Sequence, residues 1–238
     1  LGVFLYAIAW VGNLGVPNSL DAAPRIPLTQ ALAINVALLT IFALQHSVMA
    51  RRTFKERWTK IVPKPAERST YVLFTNLALL LMFWQWQPMG GALWSIEHPA
   101  MKALLYALFT LGWLLVLLST FLINHFDLFG LRQVWLYFRG RAYTPLPFRT
   151  PALYRVVRHP LYVGWFLAFW ATPTMSAAHL LFAGMTTAYI LTAIRFEERD
   201  LLRAYGEVYA AYRREVPMLL PRLRPGKGTT EAQTESTY

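Results

Sequence analysis

Two short clusters of this chain hold residue types that act together in binding chemistry. The first reads Arg158-His159-Pro160-Leu161-Tyr162-Val163-Gly164 and the second Arg195-Phe196-Glu197-Glu198-Arg199. Together they supply guanidinium groups, an imidazole, a phenol, a glycine that admits close backbone approach and two adjacent carboxylates. A nucleoside with an amino-acid tail and a sulfonium needs such a set. Carboxylates accept from ribose hydroxyls or an ammonium, arginine pairs with a carboxylate, and aromatic faces favour a cation. Each cluster alone has a plainer reading, since a terminal Arg snorkels, Pro160 opens a helix and paired Glu form a solvated face. As a pair they carry more, because they bracket one apolar region.

That region belongs to a membrane pattern. The chain has 238 residues, 56% hydrophobic and 15% charged, and the apolar residues are bunched into runs separated by short charged segments. The runs are Leu1–Val11, Leu28–Ala50, Tyr71–Trp86, Met101–Ile123 and Leu161–Ile194. Runs of about 20 apolar residues match a bilayer's hydrocarbon core. They do not alternate as barrel strands do, so their backbones must be satisfied as helices. The expected fold is all-α, a polytopic transmembrane helical bundle, with four spans over 1–125 and a cofactor-binding catalytic region over 126–222. The chain opens on Leu1 without a basic leader, which reads as a trimmed start rather than a signal peptide.

Charge sets the sidedness. Of the 23 Lys and Arg, 21 fall in three segments, 51–68, 132–158 and 195–227. The positive-inside rule makes those segments cytoplasmic, expected at a bacterial inner membrane. The net charge of +11 is therefore spread over loops that flank spans and does not form a nucleic-acid-binding face. With no cysteine, thiolate nucleophiles, disulfides and Cys-ligated metals are excluded.

Because Leu161–Ile194 starts and ends beside basic segments, it must reverse. Pro173 is the natural turn, which predicts a helical hairpin over 160–195 that brings the two clusters to one membrane depth. Residues 196–214 should form a cytoplasmic amphipathic helix, with Leu201, Leu202, Tyr205, Val208, Tyr209 and Tyr212 on its apolar side. The polar tail 225–238 is expected to be disordered.

Ionisable residues near span ends mark candidates for proton transfer. His46 and His125 both lie at cytoplasmic ends of spans, and Asp127 stands where it could orient an imidazole. The plainer readings are interfacial histidines bonded to backbone and an Asp that caps the next helix. Glu67 and Arg68 are further candidates to line the site. His98 and His179 fall on the opposite side or within the hairpin. No Gly-x-Gly-x-x-Gly follows a strand pattern, so a Rossmann-type domain is absent.

The order Arg158-His159-Pro160-x-Tyr162-x-Gly164, then Glu197-Glu198-Arg199, then Gly206-x-x-Tyr209-x-x-Tyr212 and Val216-Pro217 resembles the integral-membrane isoprenylcysteine and phospholipid methyltransferase superfamily. Gln45-His46-Ser47-Val48-Met49-Ala50-Arg51, Pro65-Ala66-Glu67-Arg68-Ser69-Thr70-Tyr71 and Asn124-His125-Phe126-Asp127-Leu128-Phe129-Gly130 are similar to the branch holding methanethiol S-methyltransferases and NnrU-type proteins. The resemblance spans roughly residues 28–222. It implies S-adenosyl-L-methionine as donor, S-adenosyl-L-homocysteine as product, and Arg158, His159, Tyr162, Gly164, Glu197 and Glu198 as cofactor-binding residues. It further implies methylation of a small thiol, methanethiol to dimethyl sulfide, by in-line displacement, with no metal.

Two alternatives stay open. The acceptor could be a prenylcysteine or a phospholipid, and bulky Trp84, Trp86, Trp135 and Trp165 closing the pocket would favour a small thiol instead. A non-enzymatic NnrU-like or haem-binding protein would need His46 and His125 facing each other.

Overall fold

A computed structural model describes residues 1–222 of the chain. The architecture is a bundle of helices with one two-stranded ribbon. Three helices are long and apolar enough to cross a membrane: α2 (Leu28–Ala50), α5 (Pro99–Ile123) and α9 (Ala177–Tyr205). Beside them run α1 (Gly2–Val11), α4 (Glu67–Gln85) and α8 (Pro160–Trp170), while α3 (Arg52–Trp58), α6 (His125–Leu128), α7 (Leu131–Phe138) and α10 (Glu207–Glu215) lie at the basic end. Leu73, Phe74, Leu77, Leu80, Leu111, Leu114 and Leu118 are exposed on the outside of the bundle. An integral membrane protein turns such side chains to lipid, where their exposure costs nothing.

The hairpin is asymmetric. Helix α8 has 11 residues and, at about 1.5 Å per residue, is too short to span a bilayer. Helix α9 has 29 residues and runs without a break through Arg195, Glu197 and Glu198. The amphipathic helix expected from 196 therefore divides. Its first ten residues continue α9, and α10 begins after Gly206, whose φ of +54° only glycine adopts without strain. The expected apolar side divides with it, since Tyr209 is buried while Val208 is 63% exposed.

The reversal near Pro173 is built as a strand. Strand β2 (Thr174–Ser176) pairs antiparallel with β1 (Ala92–Ser95), in register Ala92 with Ser176 and Ser95 with Thr174. Helix α9 then opens on Ser176, whose hydroxyl accepts from the His179 amide at 3.1 Å. His179 is fully buried, with Nδ1 2.8 Å from Asp21 Oδ2 and Nε2 2.9 Å from the Phe169 carbonyl. Both ring nitrogens therefore lie against acceptor oxygens, which fixes the ring between α8 and the loop that carries Asp21.

Helix α8 is held against α5 by two glycines. A Cβ on Gly112 would meet the Ala168 nitrogen at 2.6 Å, and one on Gly164 would meet the Gly112 oxygen at 2.7 Å. Small residues at such a crossing let backbones touch, and dispersion does the rest. The core around them is aromatic: Trp10, Phe83, Trp86, Trp113, Phe169 and Phe182 cluster in edge and tilted contacts. Residues 225–238, expected to be disordered, lie outside the described part of the chain.

Candidate functional site

The hairpin closes the two clusters into one clasp. Arg158 donates through Nε (2.8 Å) to Oε1 of Glu198, with Nη2 in ion-pair contact at 2.7 Å and His159 Nε2 3.1 Å from the same oxygen. Tyr162 Oη donates to Glu197 Oε2 at 2.8 Å. The spare edge of the Arg158 guanidinium is also used, with Nη1 donating to the carbonyls of Arg213 (3.1 Å) and Val216 (2.5 Å). The segment after α10 completes the clasp, because the Arg158 and His159 amides donate to the Pro217 and Met218 carbonyls. Arg158 and Glu198 are only 10% and 12% exposed, whereas Glu197 is 46% exposed, with Tyr162 its one hydrogen-bonded partner among the described residues and His159 Nδ1 3.9 Å away.

Phenols crowd this end. Burial raises the Tyr154 and Tyr209 hydroxyls well above the ordinary tyrosine value. It pushes Tyr212 up to about 12 against the opposing charge of Arg158. Tyr212 Oη donates to the Tyr154 carbonyl at 2.6 Å, whereas the buried Tyr209 hydroxyl has no partner among the described residues.

Comparison with known proteins gives the chain a family. The family described as NnrU protein matches residues 34–206. A protein of Crocosphaera subtropica named methanethiol S-methyltransferase is 60% identical over 217 residues, 91% of this chain and 85% of the relative. One of the same name from Mycobacterium tuberculosis is 56% identical over 221 residues, 93% of this chain and 91% of the relative. The chain belongs to the NnrU family. More distantly, Nurim of Mus musculus is 32% identical over 180 residues, 72% of this chain and 68% of the relative. No solved structure matches the chain. The NnrU match contains both halves of the clasp and His46 but ends at Gly206, before the segment that closes over Arg158.

A second polar group lies deeper in this NnrU chain. Tyr71 Oη stands 2.7 Å from His46 Nε2 and 3.0 Å from Nδ1, and Thr75 Oγ1 lies 3.2 Å from Nδ1. Phe42 stacks on the imidazole, and Ser47 bonds Tyr189 at 3.2 Å on the facing α9. Tyr189 precedes Glu197 by eight residues on α9, so the His46 group sits about 12 Å further along the bundle axis. The Arg68 guanidinium lies 5.4 Å from the Tyr71 ring. Tyr71, Thr75 and Tyr189 were not singled out from sequence as members of a site. Their signal was polarity inside apolar runs.

His125 and Asp127 do not act as a pair. His125 Nδ1 bonds Thr120 Oγ1 at 2.9 Å and the ring stacks on Phe121, while burial lowers its pKa. The Asp127 carboxylate is bound instead by Arg132 at 2.9 Å and Tyr143 at 3.3 Å. The reason is local: Asn124 caps the short α6 by accepting from the Asp127 amide, which turns the carboxylate towards α7. His46 and His125 share no bonded partner among the described residues, His46 being held by Tyr71 and Thr75 of α4 and His125 by Thr120 of α5. The close approach allowed by Gly164 is to α5, not to the carboxylates. Of the four tryptophans considered for closing a pocket, Trp86 is buried and Trp165 packs on Trp113, whereas Trp84 and Trp135 are 72% and 58% exposed.

Two cavities open at the basic end. One of about 310 Å³ borders Arg195, Glu198, Arg199, Leu202 and Arg213. The other, of about 490 Å³, lies among α3, α4, α6 and α7 and takes in Glu67 and Arg68.

Proposed function

We propose that this chain is an S-adenosyl-L-methionine-dependent membrane methyltransferase that converts methanethiol to dimethyl sulfide at its cytoplasmic face, in a bacterial inner membrane. The closed Arg158–Glu198 and Tyr162–Glu197 contacts carry this reading, and the high identity to proteins named for that activity supports it. The donor set fits such a ligand. Glu197 presents a half-exposed carboxylate to hydroxyl or N–H donors, and Arg195 and Arg199 border the cavity beside Glu198.

S-adenosyl-L-methionine, when bound, supplies a methyl group made electrophilic by its sulfonium. The chain has four tasks. Glu197, set by Tyr162, binds the donor. Arg158, His159 and Glu198 hold α8 and α9 at a fixed separation, so that Glu197 is preorganised. The aromatic interior around Trp113 and Trp165 keeps water out. His46, beside Tyr71, takes the thiol proton, since an alkyl thiol with a pKa above about 8.5 is mostly protonated at neutral pH.

The test is transfer of label from S-adenosyl-L-methionine, by purified protein in detergent, to a panel of methanethiol, longer thiols, prenylcysteines and phospholipids. Labelled dimethyl sulfide is the expected product. Label in prenylcysteine or phospholipid alone would replace the acceptor class. No transfer, together with a Soret band, would replace the enzyme reading by a haem protein.

A further inference from the structure

The cavity of about 490 Å³ lies outside the clasp, and its chemistry is of both signs. Arg68 spends Nε on the Leu128 carbonyl at 2.8 Å, and its two terminal nitrogens make no bond among the described residues. Lys64 lines the same space and forms no ion pair among the described residues. Opposite them stands Gln133, whose Nε2 donates to the Asp127 carbonyl at 3.1 Å while its buried Oε1 has no partner. A buried amide oxygen left unbonded is costly, and this one belongs to a residue that lines the cavity. Asp127 also lines the cavity, its carboxylate bound through Oδ1 by Arg132 at 2.9 Å and through Oδ2 by Tyr143 at 3.3 Å.

Free cations on one side and a free acceptor next to a carboxylate on the other match one compact chemical unit. We propose that this cavity binds an α-amino-acid headgroup, with the carboxylate on Arg68 and Lys64 and the ammonium on Gln133 Oε1 and Asp127. The smaller cavity matches less well, because the charge of its one carboxylate, Glu198, is already paired, Oε1 with Arg158 and His159 and Oε2 with Arg213 at 3.9 Å. Arg158 cannot take the carboxylate either, since Nε, Nη1 and Nη2 are all engaged. Two sources offer this headgroup. One is the amino-acid end of the methyl donor and its product, which rests on the proposed function. The other is an amino-acid thiol such as homocysteine, acting as acceptor.

The experiment is calorimetric titration of the purified full chain with three probes. S-adenosyl-L-homocysteine has the headgroup and the nucleoside, 5′-methylthioadenosine the nucleoside alone, and L-homocysteine the headgroup alone. Lys64→Gln at the rim and Gln133→Leu inside are the variants, and circular dichroism confirms their folding. Each lost charge-assisted bond should weaken headgroup binding about tenfold or more. Weaker S-adenosyl-L-homocysteine binding with unchanged 5′-methylthioadenosine binding assigns the cavity to the donor. Weaker L-homocysteine binding alone assigns it to an acceptor. If wild type binds L-homocysteine but not S-adenosyl-L-homocysteine, the headgroup site stands and the methyltransferase reading fails. If both variants bind all three probes as wild type does, the proposal is overturned.

Discussion

Glu198 Oε1 lies 2.7 Å from Nη2 of Arg158 across forty positions of sequence, and it also receives Arg158 Nε and His159 Nε2. One oxygen thus ties the start of α8 to the end of the apolar part of α9. The opposite edge of the same guanidinium holds the segment that follows α10. Arg158 is therefore a junction of three chain segments.

Arg158→Lys should loosen all three. Lysine cannot supply the planar fork that reaches a carboxylate and two carbonyls at once. With both partners nearly buried, a loss of roughly 2–4 kcal/mol is expected. Thermal denaturation in detergent would measure it, and limited proteolysis near 216–222 should become faster in the variant. An unchanged melting curve would show that the junction carries no stability.

His46→Ala should cut turnover about 100-fold or more while leaving donor affinity near normal, as the loss of a general base does. Tyr71→Phe removes the hydroxyl next to the imidazole and should lower turnover in the same direction, by less. Single-turnover rates paired with calorimetry separate the two effects. A normal rate in His46→Ala would remove this histidine from the chemistry.

Gly164→Ala should be poorly tolerated. The added Cβ meets the Gly112 oxygen at 2.7 Å and the Val116 nitrogen at 2.8 Å, so α8 must move away from α5. Overpacking of this kind costs about 1–3 kcal/mol. Gly184→Ala is the control, because nothing lies within 4 Å of its added Cβ. Equal melting temperatures for the two variants would contradict the close helix crossing.

Acid should weaken the opposite end of the bundle through Asp21. Burial alone would raise its pKa, but the hydrogen bond and charge of His179, with bonds from Ser176 and Asn13, outweigh it and hold the carboxyl below its ordinary value. A depressed carboxyl contributes stability above its unfolded value near 4 and loses it as pH falls through the folded value. Wild type should therefore lose more stability than Asp21→Asn between about pH 5 and pH 2. Parallel curves for the two would mean the ion pair is not formed.

The long elements were legible in the sequence because the bilayer imposes a length and an apolar composition that composition alone reveals. Leu28–Ala50 is a helix over the residues its apolar run covers, and the run from Met101 to Ile123 needed only Pro99, at the first helical position, to complete it. The meeting of the two polar clusters followed from parity, since a segment that starts and ends beside basic loops must reverse. The path of the reversal did not follow. Pairing of Thr174–Ser176 with Ala92–Ser95 joins segments about eighty residues apart, and no local pattern encodes a partner at that distance. Individual side-chain partners were equally hidden. Asp127 turns to Arg132 because Asn124 caps a helix of four residues, and Gly164 serves a helix crossing because Gly112 faces it from another span. Periodicity and hydropathy report how a segment relates to solvent, whereas a hydrogen bond or a backbone contact depends on which surface the packed bundle brings within three or four ångströms.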